Sequence, residues 1–339
     1  MKNMLKAEDI QKIAENAYIR ENEPMSKHTT FRIGGPAQLY IEPDCVESFC
    51  KIVRFLKENG EKYFIIGNGS NLLVKDEGYN GVIISTRVNA SNKKNQNFGM
   101  DDYKVYLSEN EALDKAARER FITEGYIISD SIEGKNLVFA ASGIILAKLA
   151  NVIAENELTG FEFAGGIPGT LGGAVTMNAG AYGGEIKDCI LGARVMLADG
   201  SIKVLSKEEL KLSYRSSIIQ KGDMVVLDAL FEFDKGNKED ILSTMRELNE
   251  KRRDKQPLEY GSAGSTFKRP EGYFAAKLIE DAGLKGYSSG DVMVSDKHSG
   301  FVVNTGNGKY ADAMNVIEHV KKTVADKFGV ELELEVKIL

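Results

Sequence analysis

Histidine is scarce in this chain. Its 339 residues include three histidines, with no HExxH pattern and no paired Cys/His spacing, so no structural or catalytic zinc site is expected. Cysteine is equally sparse. Cys45, Cys50 and Cys189 are odd in number and form no CxxC pair; reduced thiols in a cytosol are expected rather than a disulfide framework. No apolar run is long enough to span a bilayer. The opening MKNMLKAEDIQKIAE lacks the apolar centre of a signal peptide. Neither a membrane partner nor export is expected, and the expected location is cytoplasmic. An excess of positive charge is missing too. The formal net charge is −6 and the pI about 5.4, which argues against a dedicated nucleic-acid binder. What remains is the composition of an ordinary globular protein, long enough that more than one domain is expected.

Charge is absent altogether from one stretch, and the rest of the chain is organised around it. Gly165 to Gly184 reads GGIPGTLGGAVTMNAGAYGG; eight of its twenty residues are glycine and none is charged. Glycine permits positive φ and close approach of other atoms to the backbone. A tightly packed structural loop and a ligand cradle both use that freedom. A solvated linker would carry Ser, Lys or Glu, whereas this one carries Ile167, Leu171, Val175, Met177 and Tyr182. It reads as buried, and a buried loop needs partners for its backbone polar groups. A bound cofactor would supply them.

A rough helical face runs through Leu5, Ile10, Ile13 and Ala17. Phe31 to Ile41 reads as strand, interrupted at Gly34–Gly35–Pro36. Asp44 opens a helix by a capping box with Glu47. Val46, Phe49, Val53 and Leu56 make its apolar face, and Asn59–Gly60 closes it. The strand Tyr63 to Ile66 leads into Gly67–Asn68–Gly69–Ser70–Asn71. No Lys-Ser/Thr pair follows, so this is not a P-loop, and Leu72 stands where the dinucleotide fingerprint has its third glycine. GNGSN alone fits an ordinary turn or a nest of N–H groups for a pyrophosphate; a second uncharged glycine-rich loop favours the nest. Residues 89–136 are rich in Asn, Lys, Gln, Asp and Glu and read as a surface insertion, with a charged helix from Glu109 to Phe121. Leu146, Leu149 and Ile153 mark a helix, Ala193 to Val204 a hairpin turning at Asp199–Gly200, and Met224 to Phe233 a strand. Further helices lie around Ile241, Met245 and Leu248, from Phe274 to Ala282, and from Met314 to Phe328. From Val330 the chain alternates strictly, with Leu332, Leu334, Val336 and Ile338 on one face of a strand and Glu331, Glu333, Glu335 and Lys337 on the other.

Five motifs in order carry a resemblance. GNGSNLLV, GFEFAGGIPGTLGGAVTMNAGAYGGEI, LSYRSSIIQ, SAGSTFKRP and LELEVKIL are similar to those of the UDP-N-acetylenolpyruvoylglucosamine reductase family. The resemblance runs from about His28 to the C-terminus, apart from 89–136. It implies an α+β protein, with an FAD-binding fold of the vanillyl-alcohol-oxidase (PCMH) type followed by a smaller α+β substrate-binding domain. Residues 1–86 would form one FAD-binding subdomain and 87–236 a second, with the insertion at 89–136. Residues 237–339 would form the substrate domain, its last strand 330–339 carrying a catalytic glutamate. The resemblance also implies FAD as cofactor, NADPH as reductant and UDP-N-acetylglucosamine enolpyruvate as substrate, reduced to UDP-N-acetylmuramate for peptidoglycan. No His or Cys lies within the two glycine-rich loops, so the FAD is expected to be held non-covalently.

The site residues follow from the same resemblance. The family's acid serine falls on Ser265, its arginine on Arg215 and its glutamate on Glu335. The FAD would lie against Gly67, Asn68, Gly69, Ser70 and Asn71, and against Gly166, Pro168, Gly169, Thr170, Gly172 and Gly173, with Tyr214 beside the flavin. Lys255 and His298 fall where family members contact substrate. Hydride addition pushes negative charge into an enolate and carboxylate, which an arginine stabilises, and a positioned hydroxyl can complete the reduction. Without the resemblance, Ser265 is a turn serine, Arg215 a surface cation and Glu335 one of three solvated strand carboxylates. Some family members close the site with a tyrosine on an inserted loop. The fifty positions from Arg215 to Ser265 leave no room for it, so the chain resembles the shorter type.

Overall fold

The computed structural model describes residues 5–86, 126–132 and 135–339. They form two compact units that are interleaved along the chain. The first comprises Met1–Arg20, Ile41–Gly67 and Ile83–Asn249; the second comprises Glu21–Tyr40, Asn68–Val82 and Glu250–Leu339. A four-stranded sheet, in the order Tyr18–Pro24, Pro36–Glu42, Tyr79–Ser85 and Tyr63–Ile66, supplies residues to both.

The first unit is built on a larger sheet. Its path runs Ile202–Ser206, Ile190–Met196, Val225–Lys235, Lys135–Ala141 and Tyr126–Ile132, and Leu158–Thr159 pairs with the far end of Val225–Lys235. The central strand is an unbroken buried run from Val226 to Phe231, as expected of a strand covered on both faces. Asp228 sits in that run with no exposure, and Arg194 opposite it in the ladder donates Nε at 3.0 Å and Nη2 at 2.5 Å. The pair satisfies a charge that would otherwise be buried alone. Phe161 is almost fully buried, with the rings of Phe163, Phe231 and Phe233 at 5.3, 5.7 and 5.6 Å. Burial of each such ring contributes roughly 1.5–3 kcal/mol. Helix Val46–Glu58 buries Phe49, Ile52, Val53 and Leu56 at helical spacing. Its Arg54 and Lys57 donate to the carbonyls of Gly200 and Ala198 in the hairpin turn, where Gly200 has φ +82°.

In the second unit a sheet runs in the order Gly261–Ser265, Phe301–Asn304, Val292–Val294 and Ser288–Ser289. Helix Tyr310–Phe328 packs on it, burying Ala313, Val316, Ile317, Val320 and Val324. Phe31, Ile33 and Leu73 join that core from distant parts of the chain. No described helix is long and apolar enough to cross a membrane.

Four expectations need correction. Residues 126–132 and 135–136, assigned to the surface insertion 89–136, belong to two paired strands. Among the described residues Tyr126–Ile132 ends the sheet's path, and polar residues are tolerated at an edge. Residues 89–125, with the helix expected from Glu109 to Phe121, lie outside the described residues. Helix Val46–Glu58 is capped by Cys45, whose Sγ accepts from Ser48 N, and not by Asp44. Phe31–Gly35 is not strand; the strand starts at Pro36. Of the strand expected over 330–339, only Lys337–Ile338 forms a ladder, parallel to Leu72–Leu73, and Leu334 makes a single bridge to Phe267. Glu335 N and Val336 N both turn to Thr266 O, at 2.9 and 3.5 Å, which interrupts regular pairing. Leu332 and Val336 stay buried, as the alternation requires, but Ile338 is exposed.

Candidate active site

Gly67 ends the strand Tyr63–Ile66 in the first unit. A Cβ added there would stand 2.1 Å from Thr170 Oγ1, so only glycine fits. Thr170 is 1% exposed, and its Oγ1 is buried without a hydrogen-bond partner. Burying a hydroxyl unpaired costs free energy; a phosphate oxygen would satisfy it. A Cβ on Gly173 would stand 3.6 Å from the same hydroxyl, ordinary van der Waals room. An uncharged, glycine-lined spot with one orphan donor fits a dinucleotide diphosphate.

Not every part of the glycine-rich stretch faces that spot. Leu171 N donates to Ile144 O at 2.9 Å and Gly172 N to Ser142 O at 2.8 Å, while Gly169 O accepts from Leu146 N at 2.9 Å. A Cβ on Gly172 would meet Ser142 Cβ at 2.8 Å. At this position glycine serves close packing, and its N–H is committed to the fold. Gly166 closes the short 3-10 turn Glu162–Gly166, and Pro168 follows it.

Beyond Thr170 comes the helix Leu171–Met177, ended by Asn178. Thr176 O at its end accepts from Ser217 Oγ at 2.6 Å and from Gln220 Nε2 at 3.0 Å. Both residues follow the turn that carries Tyr214 and Arg215. Tyr214 is 51% exposed and the Arg215 guanidinium lies 5.4 Å from its ring centre. Arg215 has φ +52° and donates Nη2 to Gly180 O at 3.3 Å. The structure thus ties the arginine to the helix that begins at Thr170.

In the second unit Ser265 and Glu335 converge on one residue. Thr266 is buried; its Oγ1 accepts from Val302 N at 3.0 Å, and its carbonyl accepts from Glu335 N. Ser265 precedes it, exposed, opposite Phe301 in the ladder and just after a register shift. Glu335 is half-buried, and its carbonyl accepts from Asn71 Nδ2 at 3.0 Å. Lys337 N in turn donates to Asn71 O at 3.1 Å. Gly69 has φ +62°, and a Cβ there would fall 2.0 Å from His28 O. Asn68 and Ser70, on either side of it, are half-buried. His298 lies edge-on to Phe301 at 4.9 Å, and its Nδ1 accepts from Gly300 N at 3.1 Å. That bond requires a neutral ring at Nδ1, and burial pushes the His298 pKa down, favouring the same form. Lys255 is the exposed last residue of helix Lys238–Lys255. Three supporting residues escaped the sequence reading: Ser142, Asn178 and Gln220. Only Asn178 had a local signal, an Asn-Ala-Gly stop after an apolar helix.

Known proteins resemble this chain over most of its length. Residues 256–339 match the family model of the UDP-N-acetylenolpyruvoylglucosamine reductase C-terminal domain, and residues 127–206 match that of an FAD binding domain. The UDP-N-acetylenolpyruvoylglucosamine reductase of Lachnoclostridium phytofermentans is 47% identical over 98% of this chain and 96% of its own. That of Caldanaerobacter subterraneus subsp. tengcongensis is 44% identical over 97% of this chain and 96% of its own. The crystal structure of the Thermus caldophilus UDP-N-acetylenolpyruvylglucosamine reductase matches with TM-score 0.69 and 29% identity, covering 95% of this chain and 99% of that one. The α+β class with an FAD-binding domain agrees with the expectation from the motifs. With identity of this order over nearly its whole length, the chain belongs to the UDP-N-acetylenolpyruvoylglucosamine reductase family.

Proposed function

We propose that this protein is an NADPH-dependent flavoenzyme that reduces UDP-N-acetylglucosamine enolpyruvate to UDP-N-acetylmuramate, in the cytoplasm, for peptidoglycan precursor synthesis. The near-full-length 47% identity to a reductase carries the reading, and the orphan hydroxyl of Thr170 supports a phosphate-bearing cofactor. Bound FAD would supply the hydride chemistry between NADPH and the third carbon of the enolpyruvyl ether. Residues 1–86 and 87–236 hold the cofactor, with Gly67, Thr170 and Gly173 around a phosphate. Residues 237–339 serve the substrate, with Lys255 and His298 as polar contacts. Arg215 stabilises the negative charge that hydride addition drives into the enolate and carboxylate. Ser265 gives its hydroxyl proton to the second carbon. Glu335, its backbone held by Thr266 and Asn71, is the third member of the set.

Two measurements test the reading. The purified protein should be yellow, and acid precipitation should leave the flavin in the supernatant. NADPH oxidation should depend on the UDP-enolpyruvyl sugar. A colourless protein, flavin retained in the pellet, or NADPH oxidation indifferent to the sugar would each refute the corresponding part.

A further inference from the structure

We propose that Asn178 is a positioning residue for Arg215, one buried amide fixing both the turn that carries the arginine and the hairpin whose carbonyl holds its guanidinium. This rests on the role given to Arg215 above.

Arg215 occupies a costly backbone position. Ser213 and Ser216 exchange two N–H···O bonds, at 3.0 and 3.1 Å, so that Tyr214 and Arg215 form the tip of a tight turn. Arg215 is its third residue and has φ +52°. Turns with positive φ there prefer glycine or asparagine. A long β-carbon-bearing side chain in the left-handed region persists only where its surroundings over-determine it, and such outliers cluster at functional sites.

Asn178 is central to those surroundings. It is fully buried and itself left-handed, at φ +44°, where asparagine is tolerated. A helix C-cap alone does not require a buried side chain. This one uses its whole amide: Oδ1 accepts from Lys187 N at 2.9 Å, and Nδ2 donates to Glu185 Oε2 at 2.9 Å and to Ser213 O at 3.1 Å. Ser213 opens the arginine's turn. Glu185 lies in the hairpin strand paired with Gly180–Ala181, and Gly180 O is the acceptor for Arg215 Nη2. The Lys187 ammonium, 2.8 Å from Glu185, holds that carboxyl below the usual carboxylate range, with the Asn178 bond adding to the effect, so the acceptor stays charged. Gln220 completes the brace by donating to Arg215 O at 3.2 Å.

The test uses the flavin-loaded enzyme and separates its two half-reactions by stopped flow. Asn178→Gly keeps the left-handed backbone and removes the amide. Flavin content and reduction by NADPH should stay within about 3-fold of the parent, while reoxidation by the UDP-enolpyruvyl sugar slows by about 10–100-fold, the order of cost of a misplaced catalytic donor. Asn178→Asp keeps the shape but sets a carboxylate against Glu185 and Ser213 O, and should be at least as slow. The same substitutions are repeated with Arg215→Lys, which alone should slow reoxidation about 100-fold. Because residues acting through one group are not additive, adding Asn178→Gly to Arg215→Lys should cost no more than about 3-fold further. Normal reoxidation in Asn178→Gly beside a slow Arg215→Lys overturns the positioning role and leaves Arg215 in place. Loss of flavin, equal slowing of both half-reactions, or a fully multiplicative double variant also overturns it, because the amide then serves the fold at large. Normal reoxidation in Arg215→Lys removes Arg215 from the site and Asn178 with it.

Discussion

Ser265 is exposed at the end of a strand whose ladder slips just before it, after Gly264 at φ +78°. The hydroxyl is thereby presented outward rather than spent on a neighbouring strand. A free hydroxyl is a very weak acid and can donate only to a strongly basic centre, such as a carbanion beside an ether carbon. Ser265→Ala should therefore bleach normally with NADPH, while reoxidation by the UDP-enolpyruvyl sugar falls by the ~10²–10⁴-fold typical of a positioned acid. Equal slowing of both steps would point to a damaged fold, and unimpaired reoxidation would move the proton source elsewhere. His298 makes a prediction about pH. Burial lowers its folded pKa from the ordinary 6.5, so the unfolded chain binds more protons over the window just below 6.5. Stability then rises with pH across that window, is fully present above it, and is lost as pH falls through the folded pKa. Denaturant midpoints at pH 5 and pH 7 should differ more for the parent than for His298→Asn; an unchanged difference would mean that His298 titrates alike in both states.

At the scale of elements, the two glycines beside the Thr170 hydroxyl call for different outcomes. Gly67→Ala drives a Cβ to 2.1 Å from a buried oxygen, and overpacking of this kind typically costs about 1–3 kcal/mol. Its melting temperature should drop even without flavin. Gly173→Ala adds a methyl with 3.6 Å of room inside a helix, where alanine is favoured over glycine by about 1 kcal/mol. The apoprotein should be as stable as the parent or more so, but flavin retention should fall, because the methyl stands beside the hydroxyl assigned to a phosphate. Full flavin content in Gly173→Ala would place the phosphate elsewhere. The elements themselves were legible where periodicity and stop signals were local. The helix Tyr310–Phe328 with Gly329, the hairpin at Asp199–Gly200 and the strand around Phe231 all announce themselves within a dozen residues. One miss was local: the cap passed from Asp44 to Cys45, which accepts from Ser48 N. What else resisted reading depends on partners far away in sequence. The alternation after Val330 carried the right burial at Leu332 and Val336 but not the pairing, which Thr266 diverts. Within the candidate site, glycine density pointed to a cradle, yet nothing local distinguished Gly172, which packs on Ser142, from Gly67, which faces Thr170. Ser265, Arg215 and Glu335 stood out only through the motif resemblance.

At the scale of the whole molecule, the second unit is assembled from three separated segments. Thr30 O accepts from Ser262 N and Thr30 Oγ1 donates to Ser262 O, Asn304 Nδ2 donates to Phe31 O, and Lys337 pairs with Leu72. A fragment beginning at Glu250 would keep the helix Tyr310–Phe328 and lose these partners, along with Phe31, Ile33 and Leu73 from its core. Expressed alone, residues 250–339 should lack a cooperative thermal transition. Adding residues 21–40 and 68–82 through linkers should restore one, and a cooperative transition in the bare fragment would show that the interleaving is dispensable.

The bond from Asn71 Nδ2 to Glu335 O spans 264 positions. On the ribosome, where synthesis runs at roughly 5–20 residues per second, the GNGSN loop is made between about 13 and about 53 seconds before the backbone that closes it. Throughout that interval Leu72 and Leu73, buried in the finished protein and paired with Lys337 and Ile338, are an uncovered apolar strand in a growing chain. Assembly of this part of the protein therefore waits for its last segment to be made, and a nascent chain stalled between residues 73 and 335 presents that strand to chaperones and to its neighbours on the same messenger.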